Sequence, residues 1–232
     1  MKLQRSMALL APLVVLGALV AGCVPPPAPG PGPSTTTTTM PVPPHVIPIG
    51  HIDAFEVTIN GSALKVQIED ETGPSVVYRD PAQTILHVKP QAQIAIPNPP
   101  GAFAFLGAAG APVWLLPQVQ NANLLWPGAS TERIASGSLQ ANTVDWTIQS
   151  VSGPGSFHVY QNGAFGAPQL WFSSGSGFPQ TQQLSVPQHA HFNWAFGAAG
   201  TYTVVMRANA TMTNGTPVTS GNVAYTFRVG PL

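Results

Sequence analysis

Residues 189–196 read His189-Ala190-His191-Phe192-Asn193-Trp194-Ala195-Phe196, and alternation this strict restricts the backbone to a pleated strand whose successive side chains point to opposite faces. Ala190, Phe192, Trp194 and Phe196 share one face, which belongs in a core. His189, His191 and Asn193 share the other. Two imidazoles at i and i+2 rise from points about 7 Å apart, near enough for both rings to reach a single ion. The same pattern suits polar residues on the wet face of a surface strand, so the spacing alone does not choose between a site and a solvated edge.

The rest of the chain is equally strand-like. Charged residues make up 7% of it, too few for helices laced with ion pairs, while there are 23 Gly and 26 Pro; this composition spells strands and turns. The alternation predicts a hairpin of 52–59 and 63–70 around Asn60-Gly61 with a type I′ turn. Further strands are expected near 75–78, 84–89, 91–96, 144–151, 157–161, 169–172, 201–210 and 223–229. Residues 107–128 read as a long Gly- and Pro-punctuated excursion over one sheet, and residues 131–134 as a helical turn. In Gly200-Thr201-Tyr202-Thr203-Val204 the Tyr has the setting of a tyrosine corner. The expected fold is an all-β, antiparallel β-sandwich, immunoglobulin-like at its C-terminal part, with long Pro/Gly-rich loops.

The N-terminal region stands apart. Residues 1–22 place Lys2 and Arg5 before an apolar run too short for an ordinary spanning helix, which is the layout of an export signal. The run ends in Val20-Ala21-Gly22-Cys23, which resembles a bacterial lipobox and marks Cys23 for lipidation. Acyl chains there would hold the protein to the outer face of the cell membrane, an extracytoplasmic, lipid-anchored location. Residues 23–44, rich in Pro with Thr35 to Thr39 in a row, form a tether with a reach of up to roughly 65 Å. Residues 45–232 form the folded domain.

Composition also excludes partners and mechanisms. The balance of eight basic and eight acidic residues tips to about −2 once Lys2 and Arg5 leave with the signal, and no basic cluster exists to bind nucleic acid. Cys23 is the single cysteine, so neither an internal disulfide nor a thiolate metal site can form. There is no Gly-x-Ser-x-Gly elbow, His-Glu-x-x-His helix, phosphate loop or dinucleotide fingerprint, and the expectation is a binding module rather than an enzyme. The metal-ligand candidates are His189, His191, His51 and Asp53, the last two again two apart at the start of the first hairpin; Asn193 is expected to orient a histidine or ligand. Neutral imidazoles with a carboxylate suit zinc, copper or manganese. His87 and His158 read as structural. Glu69-Asp70-Glu71 is an acidic turn without the regular oxygen spacing of a calcium loop. Trp114 and Trp126 fit burial, a sugar platform or an adhesive patch.

Several segments occur in a recognisable order: Gly50-His51-Ile52-Asp53, Pro112-Val113-Trp114-Leu115-Leu116-Pro117-Gln118, Leu125-Trp126-Pro127-Gly128 with Ser130-Thr131-Glu132, Gly153-Pro154-Gly155, residues 189–196 with Ala199-Gly200-Thr201-Tyr202, and Val229-Gly230. Together they resemble the actinobacterial surface-anchored domain, also called the choice-of-anchor M domain. The resemblance implies display at the cell surface and a receptor or relay accessory to a metal-type ATP-binding cassette transporter, or another surface-protein partner. A lone copy on a lipid anchor departs from relatives that carry a sortase motif or a transmembrane tail.

Overall fold

The computed structural model describes residues 43–232; the expected export signal, Cys23 and nearly all of the expected tether lie outside the described residues. Alternation builds the longest strand, Gly200–Thr211, in which Tyr202, Val204, Met206 and Ala208 are buried and the residues between them half-exposed. One face packs and the other meets water. Val223–Val229 and Thr143–Ser152 flank it in antiparallel register. Gln180–Ser185 extends this sheet on one side, and Thr84–Val88 and His45–Ile47 extend it in parallel on the other. Tyr202 donates its hydroxyl proton to the Ala198 carbonyl (3.1 Å), the hydrogen bond expected of a tyrosine corner.

Two five-stranded sheets complete the domain. The first runs Pro168–Ser173, Phe157–Asn162, Asn193–Phe196, Pro112–Leu116, Gln93–Ala95, with antiparallel pairing throughout. The second runs His189–His191, Leu125–Ser130, Gly50–Asn60, Ala63–Asp70, Val77–Arg79, and here Leu125–Ser130 lies parallel to Gly50–Asn60. The protein is therefore all-β with mixed sheets, a correction to the purely antiparallel expectation. Parallel neighbours need a long crossover instead of a tight hairpin. The excursion at 107–128 does not lie over one sheet, as expected, but supplies a strand to each of two: Pro112–Leu116 to the first, Leu125–Ser130 to the second.

Residues 189–196 are likewise split. His189–His191 pairs with Leu125–Ser130, whereas Asn193–Phe196 pairs with Pro112–Leu116 and Phe157–Asn162, so the chain changes sheet at Phe192. The aromatic residues still go inside: Phe192, Trp194 and Phe196 are fully buried. Phe192 and Trp194 share Trp146 as a neighbour, at 5.4 and 5.9 Å, and the same indole stacks on Phe55 at 4.9 Å and meets Phe172 at 4.9 Å. One indole thus joins the cores of all three sheets.

Local details differ from expectation where turn chemistry decides. Asn60 pairs with Ala63, leaving Gly61-Ser62 as the two-residue loop, and Gly61 alone takes a positive φ (61°). That is the pattern of a type II′ turn, with Gly first, and not of type I′. Residues 131–134 form a single turn, Ile134 N–H to Thr131 O, within no helix. A short 3₁₀ helix, Gly101–Leu106, covers the outer face of the Asn193–Phe196 sheet, where Ile96, Leu106, Val113, Tyr160 and Ala195 form a second small core.

His87 and His158 are both buried. His87 Nε2 meets the Gly230 carbonyl at 2.8 Å, and His158 Nδ1 meets Ser173 Oγ at 3.0 Å. Burial pushes the His158 imidazole down to about 4. On acidification the unfolded chain takes up this proton below about pH 6.5 and the folded chain only near pH 4, so stability is lost across that interval, by up to about 3 kcal/mol. The His158→Gln variant should lose about 2 kcal/mol less than the parent between pH 7 and pH 4.5 in urea denaturation.

Candidate metal centre

Three adjacent strands put four potential ligands on one face. Asp53, Gly128 and His191 stand in one row across Gly50–Asn60, Leu125–Ser130 and His189–His191. His51 sits beside Trp126 in the next row on one side, and His189 beside Ser130 in the next row on the other. Because side chains two apart on a strand share a face, this register aims His51, Asp53, His189 and His191 at one point. A bulge between Asp53 and Phe55 then resets the register, and Phe55 is buried in the core against Trp146.

The middle strand is bare where the outer two meet. A Cβ at Gly128 would overlap Asp53 Oδ1 and stand 2.9 Å from His191 Cε1. Strands two apart in a sheet are separated by roughly 10 Å, so their side chains converge only if the strand between presents hydrogen there.

The four donor atoms lie within 4.8 Å of one another. His51 Nε2 and His189 Nε2 share a hydrogen bond at 3.3 Å; Asp53 Oδ1 is 2.9 Å from His189 Nε2 and 3.7 Å from His51 Nε2. Despite these distances, Asp53 Oδ1 is in hydrogen-bond geometry with neither ring, and neither nitrogen of His191 has a hydrogen-bond partner. Ligands about 2.0–2.1 Å from a tetrahedral zinc are about 3.3 Å from each other. The cluster can coordinate a divalent metal, and among the described residues it is the one His, Cys, Asp and Glu group so disposed.

Surrounding groups fix the rings. Glu71 Oε2 accepts from His51 Nδ1 at 2.8 Å, which turns Nε2 into the cluster, and Glu132 Oε2 lies 3.8 Å from His189 Nδ1. His191 stacks on Trp126 with ring centroids 3.6 Å apart and planes 8° from parallel. The Asp53 carboxylate chiefly, with burial opposing and Glu71 assisting, raises the His51 imidazole to about 9. Burial, then the neighbouring His189 and His51, push His191 down to about 4 against the smaller opposing effects of the Asp53 carboxylate and the Pro127 carbonyl. Asp53 is buried and His189 is 32% exposed, so the cluster opens to solvent on the His189 side.

Sequence spacing finds His51, Asp53, His189 and His191. Glu71 was legible only as part of an acidic turn, and its role depends on a hairpin register. Its neighbour Asp70 accepts from Thr72 and Arg79, which together outweigh the upward push of burial and hold its carboxyl low. Asn193 lies beyond the sheet change, and its amide engages Gln118, accepting from Gln118 N–H at 2.9 Å; no hydrogen bond joins it to an imidazole. Trp114 and Trp126 are half-buried and form no exposed patch, and Trp126 Nε1 donates to the Gln118 carbonyl at 2.9 Å. Comparison of the chain with protein-family models, curated proteins and solved structures gave no match.

The Gly128→Ala variant should remain folded, at a cost of about 1–3 kcal/mol for overpacking. Its metal affinity should fall roughly tenfold or more, as the new methyl displaces the Asp53 carboxylate. Thermal melting and calorimetric titration of the same preparation check the two halves.

Proposed function

We propose that this chain is a metal-binding module held through Cys23 at the outer face of the cell membrane, with His51, Asp53, His189 and His191 as the ligands of one divalent transition metal. The observation that carries the reading is the convergence of His51, Asp53, His189 and His191, whose donor atoms lie within 4.8 Å of one another, with Asp53 Oδ1 and both nitrogens of His191 outside any hydrogen bond. A divalent cation would engage all four groups at once, in place of the proton that His51 and His189 share.

Zinc fits first, because three imidazoles and one carboxylate at tetrahedral spacing are its usual donors. Copper prefers a tetragonal set, and manganese six mainly oxygen ligands. Four side-chain ligands fill a tetrahedral centre, whereas a catalytic zinc keeps a position for water. That favours binding over turnover.

The same reading assigns the chain to the choice-of-anchor M family. In its support, three of the segments that carry the resemblance, at 50–53, 125–128 and 189–191, are the three strands of the site. The Tyr202 corner supports an immunoglobulin-like character for the C-terminal part. A surface metal receptor serving an ATP-binding cassette transporter follows from the family reading.

Zinc titrated into the protein at pH 7 should bind at one equivalent per chain, and the His189→Ala, His191→Ala double variant should lose roughly a hundredfold or more in affinity. Equal uptake by the double variant in the calorimeter would refute the site.

A further inference from the structure

A second concavity lies on the outer face of the Asn193–Phe196 sheet, under the Gly101–Leu106 helix. It encloses about 450 Å³, within the range of roughly 300–1,000 Å³ typical of small-molecule sites. Phe103, Leu106, Leu115 and the Tyr160 ring form its walls, and Ile94 and Val119 its rim. No charged side chain lines it, so an ion entering would lose hydration without gaining a counter-charge.

Its polar groups are few and fixed. Gln118 Oε1 accepts from the Asn162 N–H (2.8 Å), and the Gln118 N–H donates to Asn193 Oδ1 (2.9 Å), so these amides satisfy one another at one end. Tyr160 differs. It is 3% exposed, with its ring held by the edges of Phe103 and Phe105 at 6.1 and 5.2 Å, and it lines the hollow; its hydroxyl is not among the buried polar atoms left without a partner, so it reaches solvent there. Burial pushes the phenol up to about 12, so it stays a donor across the physiological range. A donor open to the hollow bonds to water when the hollow is empty, and a ligand oxygen can take that place while its apolar body covers the walls.

We propose that this hollow is a ligand site distinct from the imidazole cluster, taking a small uncharged molecule with an aromatic or branched apolar body and a carbonyl or ether oxygen that accepts from Tyr160. The site does not rest on the metal reading, since no metal-ligand candidate lines it.

The probe is prodan, an uncharged naphthyl ketone whose emission reports polarity, titrated into the full protein. Saturable binding at one per chain with a blue shift is expected. Ile94 and Val119 are 44% and 79% exposed, so Ile94→Trp and Val119→Trp leave the fold intact; each should close the mouth and weaken prodan roughly tenfold or more. Tyr160→Phe should weaken prodan about fivefold, the worth of one hydrogen bond, while leaving 2-dimethylaminonaphthalene, which lacks the ketone, unchanged. The His189→Ala, His191→Ala variant should bind prodan like the parent. Non-saturable binding, binding undiminished by both rim variants, or equal weakening of the two dyes by Tyr160→Phe overturns the proposal.

Discussion

The close approach of Asp53 and His191 over Gly128 is the constraint on which the site depends. Pleated strands keep a fixed separation, and side chains from first and third strands meet only above a position that carries none. Gly128 holds that position, in register with both. Trp126, two residues earlier on the same face, then lies flat against His191 and holds one ring plane. A missing side chain and a large one thus act together: the first lets the cluster converge, and the second limits how the His191 ring can turn.

The position of the outer strand depends in turn on the sheet change at Phe192. His189 and His191 belong to one sheet and Trp194 and Phe196 to another, so the imidazoles are tied by a single residue to the aromatic core around Trp146. Phe55, on the strand that supplies His51 and Asp53, packs against the same indole. Both ligand-bearing strands therefore refer to one rigid reference point. Cores packed to crystal-like density transmit position well, and ligands held before metal arrives avoid the ordering cost at binding.

Much of this was legible in the chain. Period-two alternation identified the long strands, the first hairpin and the aromatic face, and i, i+2 spacing picked out the four residues that the fold brings together. What escaped was long-range. Nothing local distinguishes Leu125–Ser130, with its Pro and Gly, as the central strand of the site, and parallel pairing leaves no hairpin signature. The eight-residue alternation reads as continuous although it spans two sheets, because Phe192 is buried in either arrangement; Asn193 therefore falls in the other sheet, where its amide engages Gln118. At the first turn, Asn60 pairs across the ladder and Gly61 opens the loop, a one-residue shift that the Asn-Gly pair conceals.

The most direct measurement is zinc K-edge X-ray absorption on the zinc-loaded protein. Four light-atom ligands at about 2.0–2.1 Å, with the outer-shell scattering of three imidazoles and no sulfur, are predicted. A six-coordinate shell of oxygen, or scattering from fewer than three imidazoles, contradicts a centre built from His51, Asp53, His189 and His191.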